Sequence, residues 1–466
     1  MSPEGFLRIR RSVVITAIVV ATFIGLATLM VALGRVDFFA DDYQWAGSAA
    51  ADTIGWQDTG AHAGRLLSNF LYWKAMVPIL GVSSAVPYVL ANVMLMAAGA
   101  LVWARTWERL KRSYFEVVVA SAVIAASAAL PDMVLWASDV THTLGFLLLS
   151  LAVYICVPRL FSAKTGYHPS LGAAFLTTLL AAAAVLSGPN YVVAGGLLVI
   201  AASGSYIRAH RGDHRSLAVA VLLVVVFGLV AGYVYRAMVG VYGVGAGAVG
   251  GNLRWYLQEL GGSNGVVMTV AGIGVLAVVL AALYRFRQGI YVPVVVLIIS
   301  AALFLPFAMQ PEQRYLRYLT VPIFVLLLAG LAALTTEATE VSPSAGRRSL
   351  SWSATIFIFA ALGVMVYGGN TTRLALMQSP FGSSLVELRN TARSTAGTLC
   401  VVAPSVNEAA RLSAETSAGR ALSVPFAPPT SAVITDRRAT CPPGTLHVET
   451  QRDATGVWVV SSFRRG

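Results

Sequence analysis

Apolar runs of roughly 20 residues recur along this chain, and each is long enough to carry a helix across about 30 Å of hydrocarbon at 1.5 Å per residue. Within a bilayer the backbone must satisfy its own hydrogen bonds, so such runs fold as helices. Only 12% of the residues are charged and 57% are hydrophobic, where a soluble domain carries about 25% charged residues. A water-soluble core is therefore excluded. The expected fold is an all-α polytopic membrane protein of about eleven transmembrane helices. Its spans are Ser12 to Gly34, Ala85 to Trp103, Tyr114 to Leu130, Thr141 to Val157, Ser170 to Leu186, Tyr191 to Ile207, Leu217 to Val239, Gly265 to Leu283, Ile290 to Ala308, Leu316 to Leu334 and Ser351 to Tyr367. The first run follows Arg8, Arg10 and Arg11 as a signal peptide would, but it is longer than a signal core of about 7–15 residues and is read as a retained helix.

The net charge of +12 sits in short clusters between apolar runs, so it reads as a topology signal and not as a nucleic-acid surface. With the N-terminus inside the cell, Arg105, Arg109, Lys111 and Arg112 fall in a cytoplasmic loop. So do Arg159 and Lys164, then Arg208, Arg211 and Arg215, then Arg285 and Arg287, and last Arg347 and Arg348. One stretch, Arg65 to Leu80, breaks this alternation if counted as a span. It carries Asn69, Lys74 and Pro78 and is expected to lie on the outer membrane surface, with Tyr72, Trp73 and Lys74 in the headgroup zone.

Composition shifts near residue 368, which divides a membrane domain (1–368, first external loop 35–84) from a soluble tail domain (369–466). The tail is expected to be a small extracytoplasmic α/β or mostly β unit. Its strands would lie at Leu399 to Ala403, Ala432 to Thr435 and Val457 to Phe463. Cys400 and Cys441 are a candidate disulfide there, two unrelated buried thiols being the alternative; the third cysteine, Cys156, lies in an apolar run. The heavy use of Ala, Val, Gly and Arg suggests a GC-rich bacterium, and the expected location is a bacterial plasma membrane.

The most pointed motif is Phe38-Phe39-Ala40-Asp41-Asp42-Tyr43, directly after the first span on the outer side. Adjacent carboxylates beside an apolar interface are costly to desolvate unless their charge is used. One of them is expected to serve as general base on an acceptor hydroxyl, with the other orienting it or helping to hold a divalent ion such as Mg or Mn. A solvated loop start is the plainer alternative. This acidic pair, followed by Gly64-Arg65-Leu66-Leu67-Ser68-Asn69 opening a surface helix, resembles the GT-C superfamily of membrane glycosyltransferases, in particular bacterial glucosyltransferase-like members. The resemblance implies an essential acid in the first external loop, a sugar donor carried on polyprenyl phosphate, and an extracytoplasmic tail domain.

Other residues are weighed within that frame. Asp132, Asp139 and His142 lie in the second external segment, Pro131 to His142. The two acids are seven positions apart and do not make the Asp-x-Asp triplet of a metal site; no cofactor is specified. His142 also fits a helix-end histidine. Asn190, in the turn Ser187-Gly188-Pro189-Asn190-Tyr191, is a donor to a sugar hydroxyl or only a turn residue. Glu312, Arg314 and Arg317 open the tenth span on the outer side, against the positive-inside bias, and suit an anionic lipid phosphate or a headgroup. The Gly-rich stretch Gly240 to Asn264 is expected as an outer loop. The function expected is inverting transfer of a sugar from polyprenyl phosphate to an extracytoplasmic glycan or lipid acceptor of the cell envelope. The competing classes are a secondary transporter or lipid flippase, and a non-catalytic assembly protein.

Overall fold

The computed structural model describes residues 13–14, 16–21, 23–25, 41–50, 52–56, 64–82, 84–109, 137–161, 170–210, 213–242, 247–261, 399–409, 432–437, 440–452 and 458–465. The helices are α1 (Asp41–Ala50), α2 (Leu66–Leu80), α3 (Val86–Arg109), α4 (Val140–Phe161), α5 (Leu171–Ser187), α6 (Val192–Ala209), α7 (His214–Tyr242) and α8 (Ala248–Gly261). Short 3-10 turns, Ala137–Asp139 and Pro189–Tyr191, lead into α4 and α6. Four stretches are long and apolar enough to cross a membrane: Val86–Thr106, Ala137–Cys156, Pro189–Ala209 and His214–Gly240. They match four of the expected spans, and α5 a fifth of shorter length. Residues 13–25 are helical where described, within the expected first span. The expected spans at 114–130, 265–283, 290–308, 316–334 and 351–367 lie outside the described residues.

Polar side chains inside the apolar helices are neutralised locally. Thr177 and Thr178 of α5 donate to the carbonyls of Ala173 and Ala174, and Ser150 of α4 donates to Phe146. Each hydroxyl thereby uses a carbonyl one turn back, which costs little where no water competes. Ser170 caps α5, accepting from the Ala173 N–H at 3.2 Å.

Close approach, not bulk, holds the bundle together. A Cβ on Gly99 of α3 would stand 2.6 Å from the Phe146 ring of α4, and one on Gly145 would stand 2.2 Å from the Tyr191 ring. The α3 helix runs parallel to α4: Asn92 meets Thr143 near one end, and the Arg109 guanidinium lies 3.7 Å from the Tyr154 ring centre near the other. Two thirds of the Ala137–Cys156 window is buried against 22% of His214–Gly240, so among the described helices α4 is central and α7 peripheral. Arg105 and Arg109 on α3, Arg208 on α6 and Arg215 on α7 sit together at the end away from α1; Arg65 and Arg236 lie at the opposite end.

Two expectations need correction. The helix expected at the surface is α2, but Trp73 is not open to the surroundings: it is fully buried and stacked on Tyr88 at 4.9 Å, while Lys74 stays exposed and pairs with Asp52 at 3.7 Å. One face of α2 (Ser68, Asn69, Trp73, Val77) docks into the bundle, and Leu71 and Ile79 face away from it. The Gly-rich stretch expected as a loop is helical from Ala248 to Gly261, because the run after Gly251 contains good helix formers such as Leu, Arg, Gln and Glu.

The tail forms a four-stranded sheet, β1 (Leu399–Val402), β2 (Ala432–Thr435), β3 (Leu446–Arg452) and β4 (Trp458–Arg465), in the order β2-β1-β3-β4. The first three strands are parallel and β4 is antiparallel to β3. All four residues of β1 are buried, as befits a central strand. Along β3, Leu446, Val448 and Thr450 are buried while His447, Glu449 and Gln451 are not. Cys400 of β1 is bonded to Cys441, in the link from β2 to β3, with Cα atoms 5.6 Å apart. That link passes from one side of β1 to the other, and the bond fastens it to the strand it crosses. Labelling the unfolded, unreduced chain with a maleimide should therefore add one group, at Cys156, and three after reduction. Three groups without reduction would refute the pairing.

Candidate functional site

Asp42, the second residue of α1, has no solvent exposure. A buried carboxylate survives only with donors of its own. Ser138 supplies two to one oxygen: its backbone N–H meets Asp42 Oδ1 at 2.6 Å, and its hydroxyl donates to the same atom. The 3-10 turn that presents Ser138 is itself held from α3, where the Asn92 amide donates to the Ala137 carbonyl at 3.3 Å and accepts from the Thr143 hydroxyl at 3.0 Å. Asn92 thus turns a buried polar residue into a brace between α3, the turn and the first coil of α4.

Asp139 and His142 follow at helical spacing of three, both nearly fully buried. Asn190 places its amide Nδ2 2.5 Å from His142 Nδ1, and the Tyr191 hydroxyl donates to the His142 carbonyl at 2.5 Å. Gly188 permits this approach: a Cβ there would stand 2.9 Å from Thr141 Cγ2. On the other side, Thr141 donates to the Ser68 hydroxyl at 3.0 Å, and Ser68 donates to the Ser187 carbonyl at 2.7 Å. Thr141 also lies 3.2 Å from Asn69 Oδ1. The π turn Leu66–Tyr72 is what lets the neighbours Ser68 and Asn69 both face inward. Gly64, at φ +67°, seats the chain against Tyr233 and Val234 of α7 just before that turn.

Several buried groups at this end make no hydrogen bond among the described residues: Arg65 Nε, the Tyr72 hydroxyl, Trp73 Nε1 and Asn190 Oδ1. Interiors seldom leave such groups unused, and their concentration at one end marks a place where a polar ligand or water is expected. Burial pushes the Tyr72 hydroxyl well above the ordinary tyrosine range, with Tyr88 and then Asp42 adding to the effect, so it stays a neutral donor.

The structure therefore brings together five of the residues singled out from the sequence: Asp42, Asp139, His142, Asn190 and Arg65. Asp41 opens α1, and its side chain lies outside the description, as do Asp132, Glu312, Arg314 and Arg317 altogether. Among the described residues no three His, Cys, Asp or Glu side chains come together as a metal-ligand set. Ser138, Asn92, Tyr72, Thr141 and Tyr191 were not foreseen as parts of the site. Their only sequence signal is polarity at the ends of apolar runs, which by itself is shared with every loop.

Replacing Ser138 by Ala leaves Asp42 with one donor fewer in a dry site and should cost about 1–3 kcal/mol of stability, which thermal unfolding of the detergent-solubilised protein will register. A melting curve identical to that of the native protein would mean that the hydroxyl does not support the carboxylate. Comparison of the chain with models of known protein families and with curated proteins yields no match to either.

Proposed function

We propose that the chain is a GT-C-type glycosyltransferase of the bacterial plasma membrane, which moves a sugar from polyprenyl phosphate to a glycan or lipid acceptor outside the cell. The observation that carries this reading is the collection of Asp42, Asp139, His142 and Asn190, with unused hydrogen-bonding groups beside them, at one end of an otherwise apolar bundle. A transporter would concentrate its ionisable groups near the middle of the spans. Here the arginines Arg105, Arg109, Arg208 and Arg215 gather at the opposite end, which favours that end as cytoplasmic and the Asp42 end as external. A disulfide in the tail domain agrees with an oxidising compartment for the C-terminus.

The two adjacent acids take different roles in this proposal. Asp42 is committed to Ser138 and sealed from solvent, so it fixes α1 onto the 3-10 turn and sets the field of the site. Asp41 is the general base. It removes the proton of the acceptor hydroxyl as that oxygen attacks the anomeric carbon; the bond from that carbon to the phosphate oxygen breaks, and the lipid phosphate leaves with the electron pair. One displacement inverts the anomeric centre. Arg65, Arg314 and Arg317 are the cations assigned to the phosphate, a contribution of about 3–4 kcal/mol where donors are preorganised.

The test uses membranes carrying the protein and radiolabelled polyprenyl-phosphate sugars. Asp41→Asn should abolish label transfer with the melting temperature unchanged. Asp42→Asn should lower both, because it withdraws the buried charge from Ser138. Native transfer in both variants would exclude the acid pair from the reaction, and no transfer by the native protein would exclude the transferase, leaving a transporter or an assembly protein.

A further inference from the structure

Asn190 occupies a turn that does not need its side chain. Pro189 sets the first dihedral, the Tyr191 N–H donates to the Gly188 carbonyl at 3.3 Å, and the Val192 N–H closes the turn on the Pro189 carbonyl. The neighbouring Tyr191 is bolted to the His142 carbonyl, so the amide of Asn190 is held in place from both sides. One edge of that amide is spent on His142 Nδ1 at 2.5 Å. The other edge, Oδ1, is buried and has no partner among the described residues. Nδ2 has a partner in His142, whereas Oδ1 is left as an acceptor for a ligand.

We propose that the outer amide edge of Asn190 binds one ring hydroxyl of the transferred sugar and selects for its presence. The inference rests on the transferase reading above and specifies its donor site. An apolar group would leave the amide oxygen unpaired. A hydroxyl both donates and accepts, so it satisfies this edge whichever way the amide is turned. Selection follows from the same fact: a sugar lacking that hydroxyl leaves a polar edge buried and unpaired.

The experiment measures transfer by the full-length protein in nanodiscs from polyprenyl-phosphate glucose, galactose, mannose and arabinose, and from the monodeoxy forms of whichever is used. The native protein should disfavour one particular deoxy donor by about tenfold or more in kcat/KM, the equivalent of one hydrogen bond. Asn190→Ala should slow the intact sugar by a similar factor, leave that deoxy donor at the native rate, and so erase the preference. Asn190→Asp, which retains an oxygen at the outer edge, should keep the preference and serves if the alanine variant does not fold. Equal losses on every donor, deoxy forms included, would show that the amide only braces His142 or holds a water, and the proposal would fall. Should the native protein transfer none of these sugars, the transferase reading fails separately. Thermal stabilisation by the corresponding methyl glycosides then decides: stabilisation lost in Asn190→Ala upholds the hydroxyl site, and no stabilisation overturns it.

Discussion

The burial of the Asp42 carboxylate against Ser138 is the interaction on which this end of the molecule depends. A charge without solvent must be met by donors held in place beforehand, and those donors belong to a turn 96 residues away in sequence. The turn in turn needs Asn92, and Asn92 needs Thr143, so one negative group recruits α1, α3 and α4 into a single arrangement. His142 and Asn190 extend the same logic to the junction of α5 and α6. The polar cluster is thus the place where the helices agree on their register, while the apolar lengths beyond it pack by shape.

Shape in those lengths is set by what is missing from side chains. Gly99, Gly145 and Gly195 stand where a methyl group would strike Phe146, Tyr191 or Phe227, so large rings rest on bare backbone. Between hydrocarbon-soluble helices there is no hydrophobic driving force to bring them together, and close van der Waals contact of this kind takes its place. Fixing Tyr191 on Gly145 also carries the Tyr191 hydroxyl to the His142 carbonyl, so packing and polar organisation meet at one residue.

What the sequence made legible follows from how local each signal is. Four of the spans were readable because twenty apolar residues in a row have few other uses, and β1, β2 and β4 because short runs of Val, Ile and Phe stand out in a polar tail. The β3 strand, Leu-His-Val-Glu-Thr-Gln-Arg, was passed over: its alternation is regular, but its apolar half is only a few residues. Asp42, Asp139, His142 and Asn190 were each visible as polar residues bordering a span. That Ser138 serves Asp42, or that Asn190 addresses His142, depends on helix packing between segments distant in sequence, which no local pattern encodes. The burial of Trp73 was hidden for a related reason, since an aromatic beside a lysine reads the same whether or not another helix covers the ring.

The wide turn at the start of α2 sets the rotational phase of everything after it. Between Leu66 and Tyr72 the coil holds more residues per turn than an α-helix, and only then does the regular pitch resume at Trp73. Taking one residue out of that coil would swing the remainder by about 100° around its axis. The indole that fills the space over Tyr88 would rotate out and a neighbouring side chain would rotate in. The extra residue therefore acts as a phase offset, reconciling a hydroxyl and an amide that must look into the bundle with an aromatic ring that must do the same one turn later.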